Sequence, residues 1–500
     1  MRHFYLALIL IGIFLASCTA DNKKDPNVII IYADDLGFGD TGAYGSTVLK
    51  TPNIDRLAES GLLFSQAYAT SATCTPSRFG LLTGKYPWRN ERARVLSGEA
   101  PALIRPGTPT LASMFRDNGY TTAVVGKWHL GLGDGNIDWN GHISPGPNDI
   151  GFDYSYIMAA TNDRVPTVYV ENGKIVGLDP DDPIEVNYRE NFAGEPTGKD
   201  NPELLRLHPS HGHNSSIVNG ISRIGFMRGG KNALWRDEDM ADIFLARALE
   251  FIKQNRENPF FLFYTLHQPH VPRVPNERFA GSSGLGPRGD VIVEADWCIG
   301  EMLDFLEKNG LRENTLLIFS SDNGPVLDDG YHDDAVKLIG DHTPAGILRG
   351  GKYSIFDAGT HLPFIVSWPG TVKPGKSEAL VSQVDLMASL SALTETVNQG
   401  PDSENVIEAL LGRTEKGREY LVMEGSNGRV AVRTMDWAYI PPYEGPAMTN
   451  KWVNIELGYS SDPQLYRLSN DPSQEENVYT GNKEVADELA KYLDSLINKN

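Results

Sequence analysis

Five short apolar runs set the terms on which this chain can fold: NVIIIYA from Asn27, TTAVVG from Thr121, PFFLFYTL from Pro259, TLLIFSS from Thr315 and PFIVSWP from Pro363. Each is rich in β-branched or aromatic residues and lacks polar alternation, the pattern of a parallel strand covered on both faces. Helical patterns separate them. TPNIDRLAESG puts Ile54, Leu57 and Ala58 on one face with Gly61 as a stop, and TPTLASMFRDNG, DEDMADIFLARALEFIKQN and a long segment closing at Gly310 repeat the logic. The alternation predicts an α/β architecture: a large, mostly parallel sheet flanked by helices. Beyond about Pro369 the texture changes. A helix is expected over 377–396, GRVAVRTMDWAYI and DPQLYRLSND read as strands of an antiparallel sheet, and a final amphipathic helix carries Val485, Leu489, Tyr492, Leu493 and Leu496. The expected division is a larger domain over 27–375 and a smaller C-terminal α+β subdomain over 376–500.

The amino terminus, MRHFYLALILIGIFLASC, has a basic start, an apolar run from Phe4 to Leu15 and small residues before Cys18. The run is too short to span a membrane in the ordinary way. Leu15-Ala16-Ser17-Cys18 resembles the bacterial lipobox, which predicts a signal peptide over 1–17, lipidation at Cys18 and a polar tether over 18–26. The expected location is the bacterial cell envelope, with the exported protein held to a membrane by its lipid, at the outer membrane, in the periplasm or on the cell surface. Of the three cysteines this leaves Cys74 and Cys298. They could form one disulfide, but a framework fold needs more. Cys298 lies on a periodic helix, where it serves as a small buried apolar group. A formal net charge of −20 repels polyanions and excludes nucleic acid as a partner, so an anionic substrate requires a local basic cluster.

The strands end in chemistry. The first runs into Asp34 and Asp35 and the fourth into Asp322 and Asn323; the carboxyl edge of an open α/β sheet is where ligands bind. Either pair alone would serve as a turn former, but together they supply oxygen donors suited to a hard cation such as calcium rather than zinc. The second strand continues into GKWHLG, where Lys127 and His129 would point the same way in extended backbone, and the third into LHQPHVP with His267 and His270. In CTPSRFGLLTG, Pro76 suits the first helical position, which puts Cys74 just ahead of the helix at its positive end, where a thiolate or another anion is favoured. Chemistry alone points to an activated nucleophile meeting an anionic group.

The pattern Cys74-x-Pro76-Ser77-Arg78-x-x-x-Leu82-Thr83-Gly84 resembles the signature of the type I sulfatases of the alkaline phosphatase superfamily, in which the cysteine is converted to formylglycine. The resemblance continues in order through Asp34-Asp35, GKWHLG, HQPHVP, SSDNG and LRGGKYSIFDAGTHLP with Lys352, and is nearest to the arylsulfatase A and N-acetylgalactosamine-6-sulfatase branch. It implies a catalytic domain over 27–375 and calcium held by Asp34, Asp35, residue 74, Asp322 and Asn323. It further implies that Arg78 orients residue 74, that Lys127, His270 and Lys352 contact sulfate, and that His129 contacts the hydrated aldehyde. His361 stands where relatives differ and receives no role. A hydroxyl of the hydrate would attack sulfur, His270 with Lys352 would protonate the leaving alcohol, and His129 would assist sulfate release.

The implied partners are a formylglycine-generating or sulfatase-maturating enzyme and a sulfated glycan: a 6-O-sulfated galactose or N-acetylgalactosamine sugar, or an algal glycan such as ulvan, carrageenan or porphyran. Between Asp163 and Lys231 the chain is loop-rich and offers Arg164, His208, His211, His213, Arg223 and Arg228. From this stretch Asp163, Arg164 and His211 are taken as substrate-binding residues. Two other functions fit the same residues: a phosphonate or phosphodiester hydrolase of the superfamily, and a non-catalytic glycan-binding lipoprotein in which Cys74 is never converted.

Overall fold

The computed structural model describes residues 25–397 and 399–498. The signal segment 1–17, Cys18 and the tether as far as residue 24 lie outside the described residues. A sheet of ten strands organises the molecule: β1 Asn27–Ala33, β2 Leu62–Phe64, β3 Thr121–Lys127, β4 Tyr154–Met158, β5 Tyr169–Glu171, β6 Lys174–Ile175, β7 Phe260–Thr265, β8 Thr315–Ser321, β9 Phe364–Ser367 and β10 Gly375–Ser377, in the order β10-β2-β9-β8-β1-β7-β3-β4-β5-β6. The central strands β8, β1, β7, β3 and β4 are mutually parallel.

The apolar runs are doubly covered, as their composition predicts. On β1, Val28, Ile30 and Tyr32 enter one core, beside residues of α2 Cys74–Thr83 and α3 Leu111–Asp117, while Ile29, Ile31 and Ala33 enter the other, beside α1 Pro52–Glu59, α4 Met240–Asn255 and α5 Gly286–Lys308. All seven β1 residues are buried. Cys298 is buried in the second core and is a free thiol, as is Cys74.

Two expectations about the elements change. The run at 363–369 forms β9, which pairs antiparallel with β8. No crossover helix of useful length separates them; the intervening chain stays at the site edge and re-enters the sheet from there, so the strand must run back. The expected helix over 377–396 shortens to α6 Leu386–Leu393, because Ser377 ends β10, Val381–Ser382 pairs with Ala67–Tyr68, and Ser382 Oγ accepts from Val384 N at the helical start. The expected division at 375/376 therefore falls inside a strand of the large sheet.

A separate antiparallel sheet follows, with β11 Leu421–Glu424, β12 Val430–Arg433, β13 Trp437–Ile440 and β14 Gln464–Arg467 in sequence order. The closing helix α7 Lys483–Ile497 packs Ala486, Leu489 and Leu493 against Val422, Val432 and Leu465. The edge of this sheet is stitched to the chain just before Cys74: Glu424 N donates to Thr70 O at 3.1 Å, and Ala72 N to Glu424 O at 2.7 Å. The smaller sheet thus holds the start of α2 in place.

Candidate active site

The register of the central strands decides which side chains meet. Ala33 pairs with Ser321, so the residues that follow, Asp34 and Asp322, leave the sheet side by side, and Asp322 N donates to Ala33 O at 3.1 Å. Asp34 N donates in turn to Gln268 O at 2.9 Å, drawing the loop that carries His270 onto the same edge. From the other direction α2 presents its first residue, Cys74, whose Sγ lies 3.7 Å from Asp34 Oδ1. Asp34, Asp35, Cys74 and Asp322 each offer one donor atom, all within 4.8 Å of one another and all buried. Asn323 Nδ2 donates to Asp35 Oδ1 at 2.7 Å, while Asn323 Oδ1 is buried with no hydrogen-bond partner.

Three fixed cations face these carboxylates. Arg78 donates through Nε and Nη2 to Asp322 Oδ2 at 2.9 and 2.8 Å, and through Nη1 to the Lys127 carbonyl at 3.0 Å. Lys127 Nζ lies 2.6 Å from Asp34 Oδ2 and 3.8 Å from Asp322 Oδ2. Lys352 Nζ bridges Asp35 Oδ2 at 2.9 Å and Asp329 Oδ2 at 2.7 Å. Four carboxylates thus meet three cations in a buried site. Burial raises the Asp34 carboxyl well above its ordinary range despite Lys127, whereas for Asp35 the same burial is outweighed by Lys352 and Lys127 and the carboxyl is lowered. A divalent cation among these oxygens would reverse the local charge balance and give Asn323 Oδ1 its missing partner. The donor set, mostly hard oxygens with an orphaned amide oxygen, fits such an ion.

The thiol itself behaves differently from the expectation. Helix α2 begins at Cys74 rather than at Pro76, and burial pushes the Cys74 thiol far up, with Lys127 offsetting only part of the effect. A thiolate is not favoured here; desolvation outweighs the helix start and the nearby lysines.

Beside Cys74 lies a cavity of about 110 Å³ lined by His129, Asp163, Arg164, His213, His270, Asp329, Lys352 and Tyr353. His129 reaches it by a route other than the extended backbone expected, since its φ is 53° and the chain turns directly after β3. Asp35 and Tyr353 also hold positive φ, at 64° and 75°, so three site residues carry backbone strain. His129 Nε2 lies 2.9 Å from the Leu96 carbonyl and therefore carries the proton, leaving buried Nδ1 without a partner. His270 Nδ1 lies 2.7 Å from the Val271 carbonyl and donates to it, while Nε2 lies 4.0 Å from Asp35 Oδ2. Burial first, then neighbouring cations, lowers both imidazoles well below the usual histidine range: Lys127 for His129, Lys352 and Lys127 for His270. Burial opposes the charge on Lys352, but Asp329 and Asp35 prevail and keep it firmly protonated.

Of the loop residues, Asp163 and Arg164 line this cavity, paired at 2.8 Å, and His211 lines an adjoining one. Arg223 is buried against Asp237, Arg228 is exposed beside Glu185, and His208 lines neither cavity. His267 is also outside both, and burial pushes it down to about 4. His361, given no role, ties Tyr68 to the Ser65 carbonyl. Sequence reasoning missed Asp329 and Tyr353 and left His213 unchosen. Asp329 closes the acidic pair of PVLDDG, six residues past Asn323, and binds both Lys352 and the Tyr353 hydroxyl. His213 Nε2 lies 2.8 Å from Asp163 Oδ2.

Residues 26–396 match the model of the Sulfatase family. An N-acetylgalactosamine-6-O-sulfatase of Bacteroides thetaiotaomicron is 53% identical over 479 residues, covering 95% of this chain and 94% of that protein. Human arylsulfatase A is 30% identical over 502 residues, covering 95% and 87% respectively. A solved Bacteroides thetaiotaomicron structure, described with the metabolism of multiple glycosaminoglycans, superposes with a TM-score of 0.93 at 53% identity over 95% of this chain and 99% of that one. A phosphonate monoester hydrolase of Agrobacterium radiobacter shares the fold, with a TM-score of 0.55 at 18% identity over 94% and 95%. With the match running from the first strand through α6, and so across the whole buried cluster, the chain belongs to the sulfatase family and is a sulfuric ester hydrolase.

Proposed function

We propose that this sulfatase works with Cys74 oxidised to formylglycine and with calcium bound by Asp34, Asp35, residue 74, Asp322 and Asn323. In this reading it removes sulfate from a sulfated glycan, foremost a 6-O-sulfated galactose or N-acetylgalactosamine unit and next an algal glycan such as ulvan, carrageenan or porphyran. The observation that carries the reading is the juxtaposition of Cys74 with a buried oxygen cluster whose Asn323 Oδ1 has no partner, at the wall of a cavity edged by Lys352. The 53% identical relative bears the name N-acetylgalactosamine-6-O-sulfatase, which supports the choice of sugar. The buried, protonated thiol supports a precursor role for Cys74 over direct attack.

Hydrated formylglycine would supply a hydroxyl nucleophile on a carbon with a second hydroxyl, and calcium would supply positive charge to that hydroxyl and to sulfate oxygen. The chain's own groups do the rest. Arg78, clamped to Asp322 and the Lys127 carbonyl, fixes the start of α2 against the carboxylates. Lys352 at the cavity wall stabilises the sulfuryl oxygens, and Lys127 adds a second ammonium charge to the same field. His129 Nδ1, free of any other bond, accepts a proton from residue 74. His270 delivers a proton to the departing sugar oxygen, with the Lys352 ammonium, which keeps its own proton, supporting that oxygen by charge; the anionic ester itself raises His270 from its neutral state. Asp163, Arg164 and His211 hold the sugar.

The same reading includes export, lipidation at Cys18 and conversion of Cys74 by a maturating enzyme. The test is a panel of sulfated mono- and oligosaccharides alongside sulfate and phosphate-diester aryl esters. Sulfate release from 6-O-sulfated sugars supports the proposal; a strong preference for the diester refutes it.

A further inference from the structure

The catalytic cavity, at about 110 Å³, is small for anything beyond a sulfated group and part of its sugar. Next to it, sharing Val95, Asp329 and Tyr353 as a common wall, runs a groove of about 630 Å³ between the large sheet's loops and the C-terminal sheet. That volume falls in the range of roughly 300–1,000 Å³ typical of small-molecule sites. Most of its polar groups are engaged, Ser426 Oγ with the Tyr459 hydroxyl, Thr449 Oγ1 with Ile455 N, and Asp329 with Lys352 and Tyr353, and Glu424 stands out against them. Glu424 is 1% exposed, its Oε2 has no hydrogen-bond partner, and the nearest cation, Arg94 Nη1, stands 4.0 Å from Oε1. Burial raises the Glu424 carboxyl to about 8, with Arg94 offsetting part of the effect, so near neutrality it can donate as well as accept. Asn450 lines the groove and uses its Oδ1 on the Trp452 and Val453 amides. Pro76, Val95 and Leu457 add apolar lining to the same groove. A guanidinium and an unpartnered carboxyl oxygen in a groove with apolar lining match a sugar ring, which has hydroxyls on its rim and C–H faces.

We infer that this groove binds the sugar next to the sulfated one, its hydroxyls spanning the Arg94 guanidinium and the Glu424 carboxyl, so that the enzyme favours a chain over a free monosaccharide. The inference rests on the sulfated-glycan reading above and adds a second sugar site to it. Both groups are also well placed to discriminate: Arg94 leads into solvent at the groove's rim, with its side chain 48% exposed, while Glu424 forms the floor.

The experiment compares kcat/KM for N-acetylgalactosamine 6-sulfate with kcat/KM for a trisaccharide bearing the same sulfated sugar at its non-reducing end. The mature enzyme should prefer the trisaccharide, and Arg94→Ala should lower the trisaccharide-to-monosaccharide ratio by about tenfold, the effect of one lost charge-assisted hydrogen bond. Arg94 is half exposed, so this variant should fold normally. Glu424→Gln, which keeps the shape of the floor, should lower the same ratio severalfold. An enzyme that cleaves the monosaccharide with no preference for the trisaccharide, or an Arg94→Ala enzyme in which both values fall equally, overturns the groove site and leaves the sulfated-glycan reading intact. Release of sulfate from neither substrate overturns both.

Discussion

Arg78→Ala tests whether the buried cluster is a balanced charge system. The guanidinium is fully buried, makes two hydrogen bonds to Asp322 and one to the Lys127 carbonyl, and is the nearest cation to Asp322, with Lys127 next at 3.8 Å. Truncation leaves Asp322 buried with its main partner gone, while the Lys127 carbonyl keeps its hydrogen bond from Thr265 Oγ1 at 2.7 Å. Breaking a buried ion pair from one side costs about 3–5 kcal/mol, since the surviving charge remains desolvated. Urea unfolding of chelator-treated protein should therefore show a loss of that order for Arg78→Ala. Adding calcium should recover more stability in the variant than in the parent, because the ion takes over the charge on Asp322. Arg78→Lys should fall between the two, retaining the charge but losing the fork. A change below about 1 kcal/mol in Arg78→Ala without metal would refute the reasoning, because it would mean that Asp322 is satisfied some other way.

Other perturbations follow from the same geometry. Glu294 is buried and accepts from Asn276 N and Gln268 Nε2, yet burial raises it from 4.5 to about 7. The folded protein then binds more protons than the unfolded chain between those values, so this group's contribution to stability falls as pH rises from 4.5 to 7 and is flat above. Glu294→Gln should remove that slope, gaining about 3 kcal/mol relative to the parent at pH 8 compared with pH 4. Gln268 Oε1, buried without a partner, can turn to accept from the new amide; unfolding profiles of equal slope in both proteins would contradict this. Removing divalent metal should lower the unfolding midpoint and abolish turnover, with calcium restoring both; full activity in chelator would argue against the metal site. Arg164→Ala, which leaves Asp163 with only His213 and Thr161 as partners and opens the cavity beside Cys74, should raise KM on a sulfated sugar at least tenfold while affecting an aryl sulfate far less. Equal effects on the two substrates would remove Arg164 from sugar binding.

Asp34, Asp35, Asp322 and Asn323 were legible because each pair follows a strand too apolar to be anything but buried, and adjacent parallel strands must end at one edge. The remaining site came from chain paths that local pattern does not encode. Asp329 and Tyr353 arrive on the long connection between β8 and β9, and their meeting with Lys352 depends on a positive φ at Tyr353. The same connection turns β9 antiparallel, although its composition reads like that of its parallel neighbours. The position of Cys74 near the start of a helix was legible, but its ionisation was not, because desolvation by the packed strands and loops outweighs a helix end. Ser382 shows the converse: its hydroxyl caps the single 3-10 turn Gln383–Asp385, and α6 begins only after that turn, against an apolar stretch that suggests a longer helix.

The central claim is that the thiol of Cys74 is a precursor. Mass spectrometry of the peptide spanning residue 74, taken from protein that is releasing sulfate from a sulfated sugar, tests it directly. The account predicts formylglycine at position 74 in the active enzyme, in proportion to turnover, and a Cys74→Ala protein that folds and binds calcium yet releases no sulfate. An intact thiol throughout a fully active preparation would contradict it.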